Sequence, residues 1–159
     1  MVSFRDTAVT DPEAQSLLCE YFEARARDFP GGPAAYVTRF PSPADFEDGH
    51  GQFVTAHLDS FEGAIGCGGI RTVDASPHRP RPAEVKHLWV QPRARGLGIG
   101  RALVAELERR ASDAGATHLV LDTNASQREA ESLYRSSGFV EIEPYNDNSN
   151  ATLWLSKQL

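Results

Sequence analysis

The heptapeptide Arg95-Gly96-Leu97-Gly98-Ile99-Gly100-Arg101 constrains this chain more than any other stretch, because it joins a strand to a helix through three alternate glycines. The run Val85-Lys86-His87-Leu88-Trp89-Val90 before it is rich in β-branched and aromatic residues, and Pro92 ends it. After it, Leu103, Val104, Leu107, Ala111 and Ala114 recur at helical spacing, with Gly115 placed as a C-terminal stop. Glycines at 96, 98 and 100 remove the Cβ atoms that would hold a ligand off the backbone, so the unpaired amides of the first helical turn can face an anion. Arg95 and Arg101 add positive charge at the two ends of the loop.

Spacing separates the ligands that could claim such a loop. A Walker-type phosphate loop needs Lys and a hydroxyl residue after its last glycine, where this chain has Arg101-Ala102. A dinucleotide fingerprint fails as well, since counting from Gly96 puts Arg101 at its last glycine and counting from Gly98 puts Leu103 there. What remains, Val90-x-Pro92-x-x-Arg95-Gly96-x-Gly98-x-Gly100, resembles the acyl-CoA pyrophosphate loop of the GNAT superfamily of N-acyltransferases. The second half of the chain adds to the resemblance. His118-Leu119-Val120-Leu121-Asp122 reads as another strand, and Ser126-x-x-Glu129 as a capping box opening a helix with Ala130, Leu133 and Tyr134 on one face. Ala130-x-x-Leu133-Tyr134 followed by Gly138-Phe139 is similar to the segment that the family places beside the CoA thiol.

The rest of the chain fits one such domain over residues 1–159. Residues 2–9 read as a first strand, Asp11-Pro12 as the start of a helix running to about Asp28, and residues 52–58 and 63–72 as a hairpin turning at Asp59-Ser60. Between them, residues 30–50 form a long loop carrying Tyr36, Phe40 and Phe46, and Pro77-His78-Arg79-Pro80-Arg81-Pro82 is an extended connector. A closing hairpin, to about Glu143 and then from Ala151 to Lys157, flanks the polar turn 144–150. That order implies the GNAT fold: an α/β protein of α+β type, with a mixed central sheet of about six or seven strands flanked by helices. In that fold the strands on either side of the CoA-binding helix splay apart.

Composition narrows the partners. With 40% hydrophobic residues and a formal charge of -6 spread along the chain, an acidic globule with no nucleic acid and no membrane partner is expected, as a monomer or homodimer. No apolar run reaches membrane-spanning length, and a cytoplasmic location follows as an expectation. Cys19 and Cys67 make neither a disulfide framework nor a zinc spacing, and the five histidines form no ligand pattern, so no metal is expected.

The resemblance implies an N-acetyltransferase that uses acetyl-CoA as acyl donor to a small-molecule or peptide amine. An amine of pKa near 10.4 must lose a proton before it attacks a thioester, at a cost of about 4.6 kcal/mol at neutral pH. Glu84, near the family's catalytic glutamate, is the expected base, acting directly or through water, and His87 is the rival. Strict alternation would put Glu84, Lys86, Leu88 and Val90 on one face of the strand and Val85, His87 and Trp89 on the other. Tyr134 matches the family tyrosine that protonates the departing thiolate. The pyrophosphate falls to Arg95, Gly96, Leu97, Gly98, Ile99, Gly100 and Arg101, and the pantetheine and thioester carbonyl to backbone at Leu88 and Val90. Many family members contact pantetheine through Asn seven positions before the tyrosine, where this chain has Gln127, and Asn124 is the alternative. A non-catalytic acyl-CoA-binding or sensor module would carry the same donor motifs, so the acceptor stays open between small amines or polyamines, amino acids, protein N-termini and lysines.

Overall fold

The computed structural model describes residues 1–73 and 81–159. Expected connector residues 77–80 lie outside them, while Arg81 and Pro82 lie inside. Seven strands form one mixed sheet: β1 (Val2–Asp6), β2 (Gly51–Leu58), β3 (Ala64–Thr72), β4 (Pro82–Val90), β5 (His118–Thr123), β6 (Val140–Glu141) and β7 (Leu153–Gln158), in spatial order β1-β2-β3-β4-β5-β7-β6. All neighbours are antiparallel except β4 and β5, which are parallel and joined by a crossover helix. The helices are α1 (Pro12–Arg27), α2 (Ile99–Asp113) and α3 (Arg128–Ser136).

Helix α1 starts where Asp11 accepts from the Glu13 amide and Pro12 presets the first turn. Its Ala14, Leu17, Leu18 and Phe22 pack with Phe53, Ala64 and Cys67 on one face of the sheet. Leu103, Val104, Leu107 and Ala111 of α2 pack with Val54, Ile65, Val85, Leu119 and Leu155 on the other. Tyr134 and Phe139 join that second core, so α3 lies on the α2 side.

Local corrections follow from hydrogen bonding. The first strand ends at Asp6 rather than at residue 9; of the closing strands, Val140–Glu141 stops short of the expected Glu143 and Leu153–Gln158 starts later than the expected Ala151. The Ser126-Glu129 capping box does not form. Asn124 takes the Ser126 amide on its own Oδ1 at 3.0 Å, and Gln127 becomes the cap residue with no side-chain bond to the helix. Ala114, expected on the buried face of α2, is exposed as its C-cap.

Two irregularities build the site. Strands β4 and β5 pair only over Pro82–Glu84 and His118–Val120, and then part. In the same stretch Gly68 of β3 faces two residues of β4, since Cys67 pairs with Trp89 and Gly69 with Lys86. The extra residue is a bulge in which His87 takes φ +55°, a left-handed conformation uncommon for any residue but glycine. The bulge resets the alternation. Lys86, His87 and Trp89 now lie towards α1, while Val85, Leu88 and Val90 pack in the α2 core.

Candidate active site

A cavity of about 660 Å³ opens where β4 and β5 part, and its walls come from both faces of the sheet. Tyr21, Phe22 and Arg25 of α1 line one side, Tyr134 of α3 the other, and Lys86, His87 and Leu88 of the bulge the edge between them. The loop of residues 30–50 contributes Tyr36 and Phe40, and the closing turn contributes Asn146, Asn148 and Asn150.

On the α2 side, Gly96 and Gly98 have φ of +77° and +79°, and Gly98 caps α2 without any side-chain bond to the first turn. Both positions face open space, so these glycines are required by their left-handed backbone rather than by crowding. Gly100 differs: a Cβ there would stand 3.2 Å from Leu133, so its small size lets α2 approach α3. The amides of the first turn are left to an anion at the positive end of a 15-residue helix. Leu97 is exposed, Ile99 is buried, and Arg101 is exposed beside the loop. Arg95 turns away from the loop: its Nε donates to the Val90 carbonyl at 3.1 Å and its guanidinium lies 4.9 Å over the Trp89 ring. Arg95 therefore braces the loop against the strand end, and the Val90 carbonyl is already engaged.

Tyr134 is 5% exposed, yet it lines the cavity, and among the described residues no hydrogen bond engages its hydroxyl. Burial raises its phenol above the ordinary range, against the lowering influence of the Arg25 charge, so it holds its proton at neutral pH. Leu88 lines the cavity with its backbone in the bulge. Gln127 also lines it and makes no side-chain hydrogen bond among the described residues. Asn124 is committed at both ends, its Nδ2 donating to the Asn150 carbonyl at 3.1 Å while its Oδ1 holds Ser126.

Glu84 is 1% exposed and lies beneath the cavity rather than in its wall. Arg71 Nε donates to its Oε1 at 2.8 Å, the Tyr145 hydroxyl donates to its Oε2 at 2.6 Å, and Lys86 Nζ stands 3.5 Å from Oε2. Both oxygens thus have partners, and the expected base sits beneath the cavity wall. His87, the rival, is largely buried as well. Burial, with the nearby charges of Lys86, Arg71 and Arg25, lowers His87 to about 3, so the imidazole is neutral and weakly basic. Cys67 is fully buried, burial pushes its thiol up, and its Sγ donates to the His87 carbonyl at 3.5 Å, as suits a small packing residue.

The closing turn holds what sequence reasoning missed. Asp122 accepts from Asn146 Nδ2 at 2.6 Å and from Asn148 Nδ2 at 3.1 Å, with Lys86 Nζ at 3.6 Å. Asn146 Oδ1 in turn accepts from Trp154 Nε1 at 2.9 Å. The alternating asparagines 146, 148 and 150 were the available signal, since each asparagine carries both a donor and an acceptor for bracing a turn. Among the described residues no group of His, Cys, Asp and Glu is arranged to hold a metal ion, and no helix is long and apolar enough to cross a membrane.

The sequence and the fold both have relatives. The acetyltransferase (GNAT) family model matches residues 13–139. An IAA acetyltransferase of Azospirillum brasilense is 38% identical over 81 residues, 51% of this chain and 50% of that protein. An uncharacterised N-acetyltransferase of Dictyostelium discoideum is 41% identical over 78 residues, 48% of this chain and 36% of that protein. The chain thus spans half or less of the length of these two curated relatives. Among solved structures, a GNAT-family acetyltransferase of Staphylococcus aureus superposes with a TM-score of 0.76 at 16% identity, covering 99% of both chains. An acetyltransferase of Streptococcus agalactiae does so at 0.74 and 18% identity, covering 99% of this chain and 98% of its own. With the family model spanning most of the chain and the fold matched end to end, the chain belongs to the GNAT acetyltransferase family.

Proposed function

We propose that this chain transfers an acetyl group from acetyl-CoA to a primary amine by direct attack within a ternary complex. The observation that carries the proposal is the cavity walled from both faces of the sheet, with Tyr134 on one side and α1 with the 30–50 loop on the other, the anion-ready end of α2 lying on the same face of the sheet as Tyr134. Donor and acceptor can then enter from opposite faces and meet at the gap between β4 and β5, which removes the need for a covalent enzyme intermediate.

In this reading Gly96, Leu97, Gly98, Ile99, Gly100 and Arg101 cradle the pyrophosphate, with Arg95 fixing the loop from behind. Gln127, the Leu88 backbone and the Val90 amide take the pantetheine arm and the thioester carbonyl, while Arg95 holds the Val90 carbonyl. The amine nitrogen bonds to the carbonyl carbon, the carbon–sulfur bond breaks, and the Tyr134 hydroxyl donates to the sulfur as negative charge develops there. Arg25 offsets part of the cost of the phenolate form; of the two protons the ammonium sheds, one returns through solvent to Tyr134 and the other is released to solvent. Glu84 acts as a positioning residue, holding Lys86, Arg71 and Tyr145 beneath the site.

Amine-dependent release of CoA thiol from acetyl-CoA tests the proposal. We expect turnover with at least one amine class and no release without amine. Tight acetyl-CoA binding by calorimetry with no transfer to any amine would instead identify a binding module.

A further inference from the structure

The acceptor half of the cavity contains a cation with no counter-ion. Arg25 lines the cavity from α1, and among the described residues no carboxylate pairs with it; the neutral Tyr21 hydroxyl is its hydrogen-bonding neighbour. Its neighbours are neutral aromatics, with the Tyr21 ring 5.1 Å from the guanidinium carbon. A guanidinium keeps its charge at every physiological pH and presents a planar fork of donors matched to a carboxylate. The other charges around the cavity are largely spent on one another. Arg71 is held by Glu84 and Asp45, Lys86 lies between Glu84 and Asp122, and Asp122 is saturated by Asn146 and Asn148.

A second polar group points the same way. Thr123 is 7% exposed and lines the same cavity, and its Oγ1 has no hydrogen-bond partner among the described residues. A buried hydroxyl left in that condition costs stability unless something completes it.

We propose that Arg25 is the carboxylate anchor of the acceptor site, and that the acceptor is an amine carrying a carboxylate close to its nitrogen, an α-amino acid or a compound of that chemistry. The inference rests on the acyl-transfer reading above and narrows its substrate class. Arg25 and Tyr134 face the same cavity, so a carboxylate on Arg25 keeps an α-amine near the reacting sulfur. Phe22, Phe29, Tyr36 and Phe40 give the remaining wall to an apolar side chain. A polyamine acceptor finds Asp122 already consumed by asparagines and Lys86, and Asp45 paired with Arg71, which leaves it exposed Asp147 among the described carboxylates of the lining.

The test compares the common L-amino acids with their own carboxamides, which keep the amine and side chain but lose the charge, in thiol release from acetyl-CoA. The expected result is kcat/KM at least about 10-fold higher for the acid than for its amide, the scale of one charge-assisted contact. Arg25→Gln should bring the two forms to near parity, while Arg25→Lys, which keeps the charge without the fork, should retain part of the preference. Titration of the preferred amino acid into CoA-saturated protein should give binding that Arg25→Gln removes. Amides used as well as acids, or turnover confined to amines without a carboxylate such as phenethylamine and spermidine, would overturn the inference while leaving acyl transfer intact. Acetyl-CoA binding with no turnover of any amine would overturn the acyl-transfer reading itself. The wild-type comparison stands even if an Arg25 variant fails to fold.

Discussion

Asn150 pairs with Val37 as one strand residue pairs with another: its Oδ1 accepts from the Val37 amide at 3.1 Å and its Nδ2 donates to the Val37 carbonyl at 2.8 Å. The same asparagine's carbonyl accepts from Asn124. One residue, through its side chain and its backbone carbonyl, thus ties the 30–50 loop, the closing turn and the segment leading to α3 around the mouth of the cavity. Asn150→Ala removes both loop bonds, worth about 1 kcal/mol at this partly exposed position. Acceptor KM should rise about 5-fold with acetyl-CoA affinity nearly unchanged, a difference that steady-state kinetics with each substrate varied in turn would reveal.

Tyr134→Phe keeps the ring packed on Phe139, 5.7 Å between centroids, and removes only the hydroxyl. With its donor to the leaving sulfur gone, kcat should fall about 100-fold, the low end for general acid catalysis, with little change in KM for acetyl-CoA. A rise in KM alone would make Tyr134 a packing residue.

Gly98 and Gly100 should answer differently to substitution. Gly98→Val forces a β-branched residue into φ +79°, at roughly 1–2 kcal/mol of backbone strain, so it should distort the start of α2 and weaken acetyl-CoA binding in calorimetry. Gly100→Ala has an ordinary helical backbone and presses only on the flexible end of Leu133, so binding should survive.

Glu84→Gln removes the nearer carboxylate of both Arg71 and Lys86 in a nearly sealed place, leaving them Asp45 and Asp122, each at 3.6 Å. Stripping one member of a buried pair costs about 3–5 kcal/mol, and the lower end applies because Arg71 is one-third exposed. A large drop in Tm is expected in thermal unfolding. An unaltered Tm together with lost activity would return Glu84 to the role of base.

His87 titrates near 3 in the folded state against about 6.5 unfolded, so the unfolded chain binds the extra proton between those values. Stability from this group is therefore complete above about pH 6.5 and is lost as pH falls, by at most about 1.4 kcal/mol per unit. His87→Asn, which tolerates the positive φ, should flatten the acid limb of a urea-denaturation series relative to the wild type.

What the sequence made legible was local. The 3.6-residue spacing of Leu103, Val104 and Leu107 needed no knowledge of the rest of the chain, nor did the glycines that open their helix. The bulge at His87 has no such signature, because a register slip is decided by β3 across the sheet, and it moved Lys86 and His87 to one face where alternation would separate them. The capping box failed for a related reason: Ser126 was suited to the role, but Asn124 reached its amide first. Arg25 was visible in principle, four residues after Tyr21 and three after Phe22 on the same helical face. Its lack of a counter-ion, which gives it meaning, exists only once the neighbouring elements are in place.

The central claim is direct passage of an acyl group from thioester to amine across the gap between β4 and β5. Incubation with trideuteroacetyl-CoA and the amine panel, followed by mass spectrometry of both small molecules and protein, tests it most directly. The account predicts the label on the amine nitrogen and an unmodified protein mass when acceptor is withheld. A stable labelled protein formed without acceptor, or label found on no amine, would contradict it.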